Sequence, residues 1–362
     1  MFCVTLLSMK TQSQASRLRN IQVLRFLAAF AVVFAHVDLP RYASQGIRAD
    51  MFASCALGVD LFFVISGFIM MSVTDGLGGP RRALSFLGRR FLRVWPLWAI
   101  FTGIAWWLSG RGATVDFWLQ TYYPVAPQGH VIQSLTFTNF ARSPTYAIGW
   151  TLIYEFWFYV SVALCVALRA RRLLYFGVFA AVVVVLQSQS ALPVPAVLNT
   201  VFHPFMLEFI MGVALFSVSR WPRFKSIPVV WATAAVAFIA MGIALSRGHP
   251  DSFERVVAWG GASVLVVALA LQLEGCVEPM PVLVFLGDSS YSLYLTHWLV
   301  VTTFPSLLDV YGYSAMGPAC YVALNVVISL VLAVCVFVLL ERPLSRICRQ
   351  AFRQRRSVGM TG

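Results

Sequence analysis

An arginine and a histidine, Arg25 and His36, bracket the first long apolar stretch of the chain. At about 100° and 1.5 Å per residue, a helix places the two side chains within roughly 20° of one face and about 16 Å apart. An ionisable group at the centre of a membrane helix costs about 2.5–3.5 kcal/mol, so both residues are candidates for function. The structural alternative is that Arg25 extends its charge to the membrane surface and that His36 only lies at the interface.

Further ionisable side chains fall inside later apolar stretches. Asp60 lies about one turn inside the second stretch, at a depth similar to that of His36, and a carboxylate beside an imidazole can orient the ring. The alternative for Asp60 is a helix cap at the interface. Glu155 and Glu208 lie near the middle of the fourth and sixth stretches, and His297 lies within the ninth. We expect this set to face a bundle interior or a wet cavity, with an interhelical bond as the alternative role for any one member.

A cluster of arginines precedes the third apolar stretch. Arg90 and Arg93 are three residues apart, so on a helix they share a face, which we place at a cytoplasmic helix start. Guanidinium groups bind phosphates through paired hydrogen bonds, and the cluster is therefore a candidate phosphate site. The alternative is the positive charge that membrane proteins carry on their cytoplasmic side. We identify no glycine-rich phosphate loop, and no pair among the seven cysteines has metal-ligand spacing, so we predict no metal site.

The elements that must position these residues are transmembrane helices. Of the 362 residues, 59% are hydrophobic and 11% are charged, and the mean hydropathy is +0.79. A soluble domain carries about twice that share of charge, and repeated apolar runs near 20 residues are typical of membrane spans. We predict an all-α polytopic membrane helix bundle with about ten transmembrane helices. The predicted spans are 20–38, 56–74, 92–109, 146–168, 173–188, 199–218, 228–246, 255–273, 283–306 and 317–340. We assign residues 1–20 to a cytoplasmic N-terminal segment, 21–342 to the transmembrane domain and 343–362 to a basic cytoplasmic tail.

Membrane topology explains the net charge of +13. Twenty of the 27 Lys and Arg residues fall on one side of the predicted membrane, and six fall on the other. The positive-inside rule then places both termini in the cytoplasm. The basic tail suits a surface of anionic lipid, so we expect the lipid bilayer and no nucleic acid among the partners.

Several longer motifs, taken together and in order, resemble the acyltransferase-3 family of integral membrane acyltransferases from about Ile21 to Arg346. One departure is Ile153-Tyr154, where the commoner form of the family has Ser-Val or Ser-Ile before the glutamate. The chain also resembles the shorter members, which lack an additional soluble domain. The matching pieces are Leu24-Arg25-Phe26 with His36, Gly58 to Phe68, Arg89 to Pro96, Trp150 to Tyr159, Tyr291 to Trp298 and Glu341-Arg342-Pro343.

The resemblance implies an O-acyltransferase of the bacterial inner membrane. It implies transfer of an acyl group, usually acetyl from acetyl-CoA, to a hydroxyl of an exopolysaccharide, lipopolysaccharide or lipid-linked sugar on the outer side, with no permanently bound cofactor. Glycan-assembly proteins are then possible partners. His36 would act as a general base or carry the acyl group briefly, and the sequence leaves both routes open. The expected catalytic residues are His36, Asp60, Glu155 and His297, and the expected acyl-CoA-binding residues are Arg25, Arg90 and Arg93.

Two other interpretations stay open at this point. A polytopic bundle with buried acids and histidines can also export a glycan or move protons without any acyl transfer. The acyl group can also be another one, such as succinyl. The sequence does not name the acceptor sugar, the acyl chain or the oligomeric state.

Overall fold

The computed structural model describes residues 18–37, 52–109, 127–140, 142–188, 194–224, 236, 252–311, 316–348 and 350. Throughout these residues the regular structure is helical, which confirms the predicted all-α class. The helices are α1 (Arg19–Ala35), α2 (Leu57–Thr74), α3 (Pro80–Ser109), α4 (Gln128–Leu135), α5 (Trp150–Ala167), α6 (Arg172–Ser188), α7 (Ala196–Val201), α8 (Met206–Ser219), α9 (Ser252–Arg255), α10 (Gly261–Gln272), α11 (Pro281–Asp288), α12 (Ser290–Val310) and α13 (Pro318–Val336).

Six helical segments of the described chain are long and apolar enough to cross a membrane. They are Leu57–Thr74, Pro80–Ser109, Ala147–Ala167, Ala196–Ser219, Phe253–Gln272 and Pro318–Cys348. Helices overlap nine of the ten predicted spans, while the seventh, 228–246, lies outside the described residues except for residue 236. Residues 1–17, residues 110–126 between α3 and α4, and residues 351–362 of the tail also lie outside them. The count of ten and the cytoplasmic location of both termini stay predictions.

The third helix begins twelve residues earlier than the predicted third span. Gly78 and Gly79 end the turn after α2, and Pro80 follows as the first residue of α3, a position where its fixed φ and missing N–H suit a helix start. Arg90 and Arg93 therefore lie about 15–20 Å inside the helix. The prediction that they stand at a helix start is wrong, because the glycines and the proline set the boundary and the arginines do not interrupt it.

Glycines allow the central helices to pack backbone against backbone. A Cβ added at Gly58 of α2 would lie 2.2 Å from the Ala28 carbonyl oxygen of α1. A Cβ at Gly67 would lie 1.9 Å from the Phe209 carbonyl oxygen of α8, and one at Gly212 would lie 2.1 Å from the Val64 carbonyl oxygen. Close approach through small residues is the usual packing device of membrane helices. It fixes α2 between α1 and α8 at the centre of the bundle.

Replacing Gly67 by Ala should destabilise the protein by about 1–3 kcal/mol or more, because the new methyl group meets the backbone of Phe209, which cannot move aside as a flexible side chain can. The measurement is the thermal unfolding midpoint in detergent. Gly103→Ala is the matched control, since a Cβ at Gly103 of α3 meets nothing within 4 Å. Equal unfolding midpoints for the two variants would contradict the close packing of α2 on α8.

Polar contacts fasten the helix ends opposite to His36. The Glu274 carboxylate accepts the backbone N–H of Arg19 at 2.7 Å and that of Asn20 at 3.1 Å, and so caps the start of α1 from a distant part of the chain. Asp75, just after α2, pairs with Arg172 at 3.1 Å and with Arg220 at 2.8 Å. These contacts join the same ends of α1, α2, α6, α8 and α10. These contacts hold the helix ends together and so keep the side chains inside the bundle at fixed positions relative to one another.

Candidate active site

A cavity of about 100 Å³ lies inside the bundle and is lined with ionisable side chains. Three arginines come together in it, Arg25 from α1 with Arg90 and Arg93 from α3. Arg93 is exposed at the rim, whereas Arg25 and Arg90 are half-buried. The structure thus brings together all three residues that the sequence predicts as donor-binding, although they are distant in the sequence.

Glu155 provides a negative charge among these arginines. Its carboxylate accepts a hydrogen bond from the Ser66 hydroxyl at 3.2 Å and another from the Tyr159 hydroxyl. Ser66 and Tyr159 also line the cavity. The prediction that Glu155 faces a cavity within the bundle is confirmed. Its fixed contacts indicate that Glu155 orients the cavity wall and balances part of the arginine charge.

A second carboxylate near the arginines, Glu341, received no role in the sequence interpretation. It is buried in the π-helical turn Phe337–Glu341 after α13, and it accepts the Ser292 hydroxyl at 2.6 Å. Arg25 and Arg93 are close enough to act on its charge. The available signal was an acid at the end of a strongly apolar stretch, followed by Arg342 and Pro343.

His36 and His297 form a pair at the end of α1. The Nδ1 atom of His36 lies 3.3 Å from Nε2 of His297 and 2.9 Å from the carbonyl oxygen of Val32. On the other side of the pair, Nδ1 of His297 lies 3.1 Å from the carbonyl oxygen of Leu293. His297 is fully buried, while His36 is half-buried. Two residues 261 positions apart in the sequence thus share one site.

The hydrogen-bond partners of this pair assign its tautomers. Because Nδ1 of His297 faces a carbonyl oxygen, it carries the proton of the neutral ring, and its Nε2 is an acceptor. That acceptor and the Val32 carbonyl both face Nδ1 of His36, which therefore carries the proton of its own ring. Nε2 of His36 is left with the lone pair. This is the nitrogen that can take a proton or attack a carbonyl carbon.

Tyr294 connects the cavity to the histidine pair. It lines the cavity, and its ring centroid lies 5.6 Å from that of His297, one turn further along α12. Its hydroxyl bonds to the Thr151 hydroxyl at 2.7 Å and to the Ile148 carbonyl oxygen at 2.8 Å. Tyr294 therefore stands between the arginine-lined cavity and His297, which contacts His36, while neither histidine lines the cavity itself.

Asp60 does not contact His36 in this arrangement, and the prediction that it orients the imidazole is wrong. Gly58 packs on α1, and Asp60, two residues further, points about 200° away around α2. Its two oxygens accept Nε and Nη2 of Arg255 at 3.0 and 2.8 Å. The Arg255 guanidinium also lies 4.7 Å from the Trp259 ring centroid. His297 holds the position beside His36 that the sequence interpretation gave to Asp60.

Arg255, the first residue of the predicted span 255–273, received no role in the sequence interpretation. Its side chain is only 13% exposed, and fully buried Glu208 lies beside the Arg255–Asp60 pair. The available signal was chemical: a carboxylate at membrane depth requires a cation, and Arg255 stands at the start of an apolar stretch at the matching depth.

Replacing Arg255 by Ala should cost about 3–5 kcal/mol of stability, because it leaves the Asp60 carboxylate buried without its partner. The double variant Asp60→Asn/Arg255→Gln removes both charges and should recover most of that loss. Thermal unfolding of the two variants and the unaltered protein measures the effect. A double variant no more stable than Arg255→Ala would contradict the assignment of this ion pair.

The structure is an all-α membrane bundle with an internal, arginine-lined cavity beside a histidine pair. These features are those of a multi-pass membrane enzyme. The chain belongs to the acyltransferase-3 family, because the family model, described as an acyltransferase domain, matches residues 18–340. The protein is therefore a membrane O-acyltransferase. This confirms the family and the enzyme class that the sequence motifs suggest.

Curated relatives match over most of their length. The chain is 31% identical to the exopolysaccharide production protein ExoZ of Rhizobium meliloti over 306 residues, which are 80% of this chain and 90% of the relative. It is 28% identical to the acyltransferase MdmB of Streptomyces mycarofaciens over 338 residues, 83% of this chain and 81% of the relative. It is 26% identical to nodulation protein 10 of Rhizobium leguminosarum over 321 residues, 78% of this chain and 83% of the relative. No solved structure gives a significant match.

Proposed function

We propose that this protein transfers an acyl group, most simply acetyl, from cytoplasmic acyl-CoA to a hydroxyl of a glycan or lipid-linked sugar outside the bacterial inner membrane. The observation that carries the proposal is that Tyr294, in the wall of the arginine-lined cavity, contacts His297 of the pair of His36 and His297. The relatives support the acceptor class, since one of them is named for exopolysaccharide production.

The arginines suit the donor. The phosphates of CoA are anionic, and the guanidinium groups of Arg25, Arg90 and Arg93 offer paired donors for them. Arg25 and His36 are separated by about 16 Å along α1, a length on the order of an extended pantetheine arm. The thioester would then lie near His36 while the phosphates stay near the arginines.

His36 acts as the general base that takes the proton of the acceptor hydroxyl. Nε2 of His36 takes the proton of the acceptor hydroxyl, the hydroxyl oxygen bonds to the carbonyl carbon, and the bond from that carbon to sulfur breaks. The proton then passes from Nε2 to the thiolate, so that the products are the ester and CoA. In the covalent route, Nε2 itself attacks the carbonyl carbon, and the carbon–sulfur bond breaks to release the CoA thiolate. The acceptor oxygen then bonds to the acyl carbon, the bond from that carbon to Nε2 breaks, and the proton of the acceptor hydroxyl ends on the thiolate. In both routes His297 is a positioning residue, because it accepts from Nδ1 and keeps Nε2 basic.

The test is acyl transfer by the purified protein in lipid nanodiscs, with acetyl-CoA labelled in the acetyl group and a glycan fraction of the source membrane. We expect labelled ester on the glycan and one free CoA for each ester formed. An exporter would leave the glycan unlabelled and the acetyl-CoA intact, and that result would refute the proposal. The rates of transfer from a series of other acyl-CoA donors would show whether succinyl or a longer group is preferred.

A further inference from the structure

A second cavity, of about 670 Å³, lies at the end of the bundle opposite His36. Its wall is formed by the turn between α2 and α3, Gly76–Pro80, and by the end of α5. Four arginines line it: Arg81 and Arg82 from the first turn of α3, Arg169 from just after α5, and Arg172 from the start of α6. The cavity is separate from the one that contains Arg25, Arg90 and Arg93.

Within the described part of the chain, one of these four arginines has a carboxylate partner. Arg172, on its rim, pairs with Asp75. For Arg81, Arg82 and Arg169, no carboxylate lies within 4.0 Å anywhere in the part of the chain that the structure describes. Three exposed guanidinium groups thus face one concave surface with their hydrogen-bond donors available.

Glycines shape the cavity around Arg169. The Arg169 side chain lies across Gly78 and Gly79, where an added Cβ would stand 3.2 Å from its Cγ and 3.5 Å from its Nη2. The N–H of Gly79 bonds to the Val166 carbonyl oxygen at 2.8 Å and fastens the turn to α5. The turn leads directly into Pro80, the first residue of the 30-residue helix α3. The first helical hydrogen bond runs from the Ala83 N–H to the Gly79 carbonyl oxygen, so the N–H groups of Arg81 and Arg82, which line the cavity, precede it.

We propose that this cavity binds a phosphate ester. Guanidinium forks and helix-start N–H groups are both suited to phosphate oxygens. The volume lies within the range of about 300–1,000 Å³ for small-molecule sites, so it accommodates a phosphate together with the group that carries it. Two sources share this chemistry. One is the nucleotide end of acyl-CoA, which rests on the proposed function, and the other is the headgroup of an anionic phospholipid.

Two forms of the donor distinguish these sources. CoA carries a phosphate on its ribose that 3′-dephospho-CoA lacks, and both retain the diphosphate for the first cavity. In nanodiscs of phosphatidylcholine, the unaltered protein should bind CoA about tenfold or more tightly than 3′-dephospho-CoA, as expected for one charge-assisted contact. The variant Arg81→Gln/Arg82→Gln/Arg169→Gln should bind both equally. Arg171→Gln, at an exposed arginine that does not line the cavity, is the matched control and should keep the preference.

The lipid arm uses nanodiscs with and without phosphatidylglycerol. If a lipid headgroup is the occupant, phosphatidylglycerol should raise the unfolding midpoint of the unaltered protein but not that of the triple variant. Failure of the unaltered protein to bind either form of CoA would refute the proposed donor, and the lipid arm alone would then decide the phosphate site. If the triple variant matches the unaltered protein in both arms, the phosphate site is refuted even where acyl transfer is intact.

Discussion

His36→Gln should abolish acyl transfer, with a loss of about 10²–10⁴-fold in rate if the residue acts as a general base. Glutamine keeps the size and polarity of the ring but has no nitrogen that can take a proton from a hydroxyl or hold an acyl group. Because His36 stands at the end of α1 and, among the described residues, its hydrogen bonds run from Nδ1 to Val32 and His297, its replacement should leave the helix packing unchanged. The measurement is ester formed on the glycan, normalised to folded protein in the membrane.

Two further histidine variants test whether this loss is specific to His36. His130→Gln is the matched control, because His130 lies in α4 and contacts Asn139 at 3.2 Å, away from the histidine pair. It should keep nearly full activity. His297→Gln should reduce activity less than His36→Gln, because it disturbs the orientation of the ring without removing the reactive nitrogen. Full activity in His36→Gln would move the chemistry to another residue and remove the basis of the mechanism.

The double variant Arg90→Ala/Arg93→Ala should weaken donor binding by about 100-fold or more, since two charge-assisted contacts to phosphate are lost. Replacement of both by Lys should restore only part of the affinity, because an ammonium group lacks the fork of a guanidinium. The dissociation constant for a non-transferable acyl-CoA analogue measures the effect. Arg89→Ala is the control, since Arg89 is exposed on the same helix and bonds to Ser85 at 2.5 Å. Equal affinities for the double variant and the unaltered protein would remove these arginines from the donor site.

The sequence predicts the elements of the fold well, because each depends on local composition. Long apolar runs identify the helices, and the cost of burying charge predicts that Asp60, Glu208 and His297 point inward, as their burial confirms. Arg25, Arg90 and Arg93 meet in one cavity as expected, although the spacing of Arg90 and Arg93 explains only their shared face.

The partners of the buried groups could not be predicted, because they depend on how distant helices pack. The position of Asp60 within its predicted span places it at the same membrane depth as His36. The close contact of Gly58 with α1, which only the structure shows, means that Asp60 faces away from α1. His297 and Arg255 are more than 190 positions from the residues that they contact. The contact of the glycine turn before α3 with Arg169, which follows the end of α5, could not be predicted for the same reason.

The sidedness of the reaction tests the central claim most directly. Inside-out vesicles of the bacterial inner membrane expose the cytoplasmic face to the medium and enclose the outer glycan. Acetyl-CoA labelled in the acetyl group is added to the medium, and the label on the enclosed glycan and the free CoA in the medium are measured together. The account predicts that both appear in equal amounts and that both are lost in His36→Gln. Entry of intact acetyl-CoA into the vesicles, or glycan labelling that requires acetyl-CoA on the enclosed side, would contradict it.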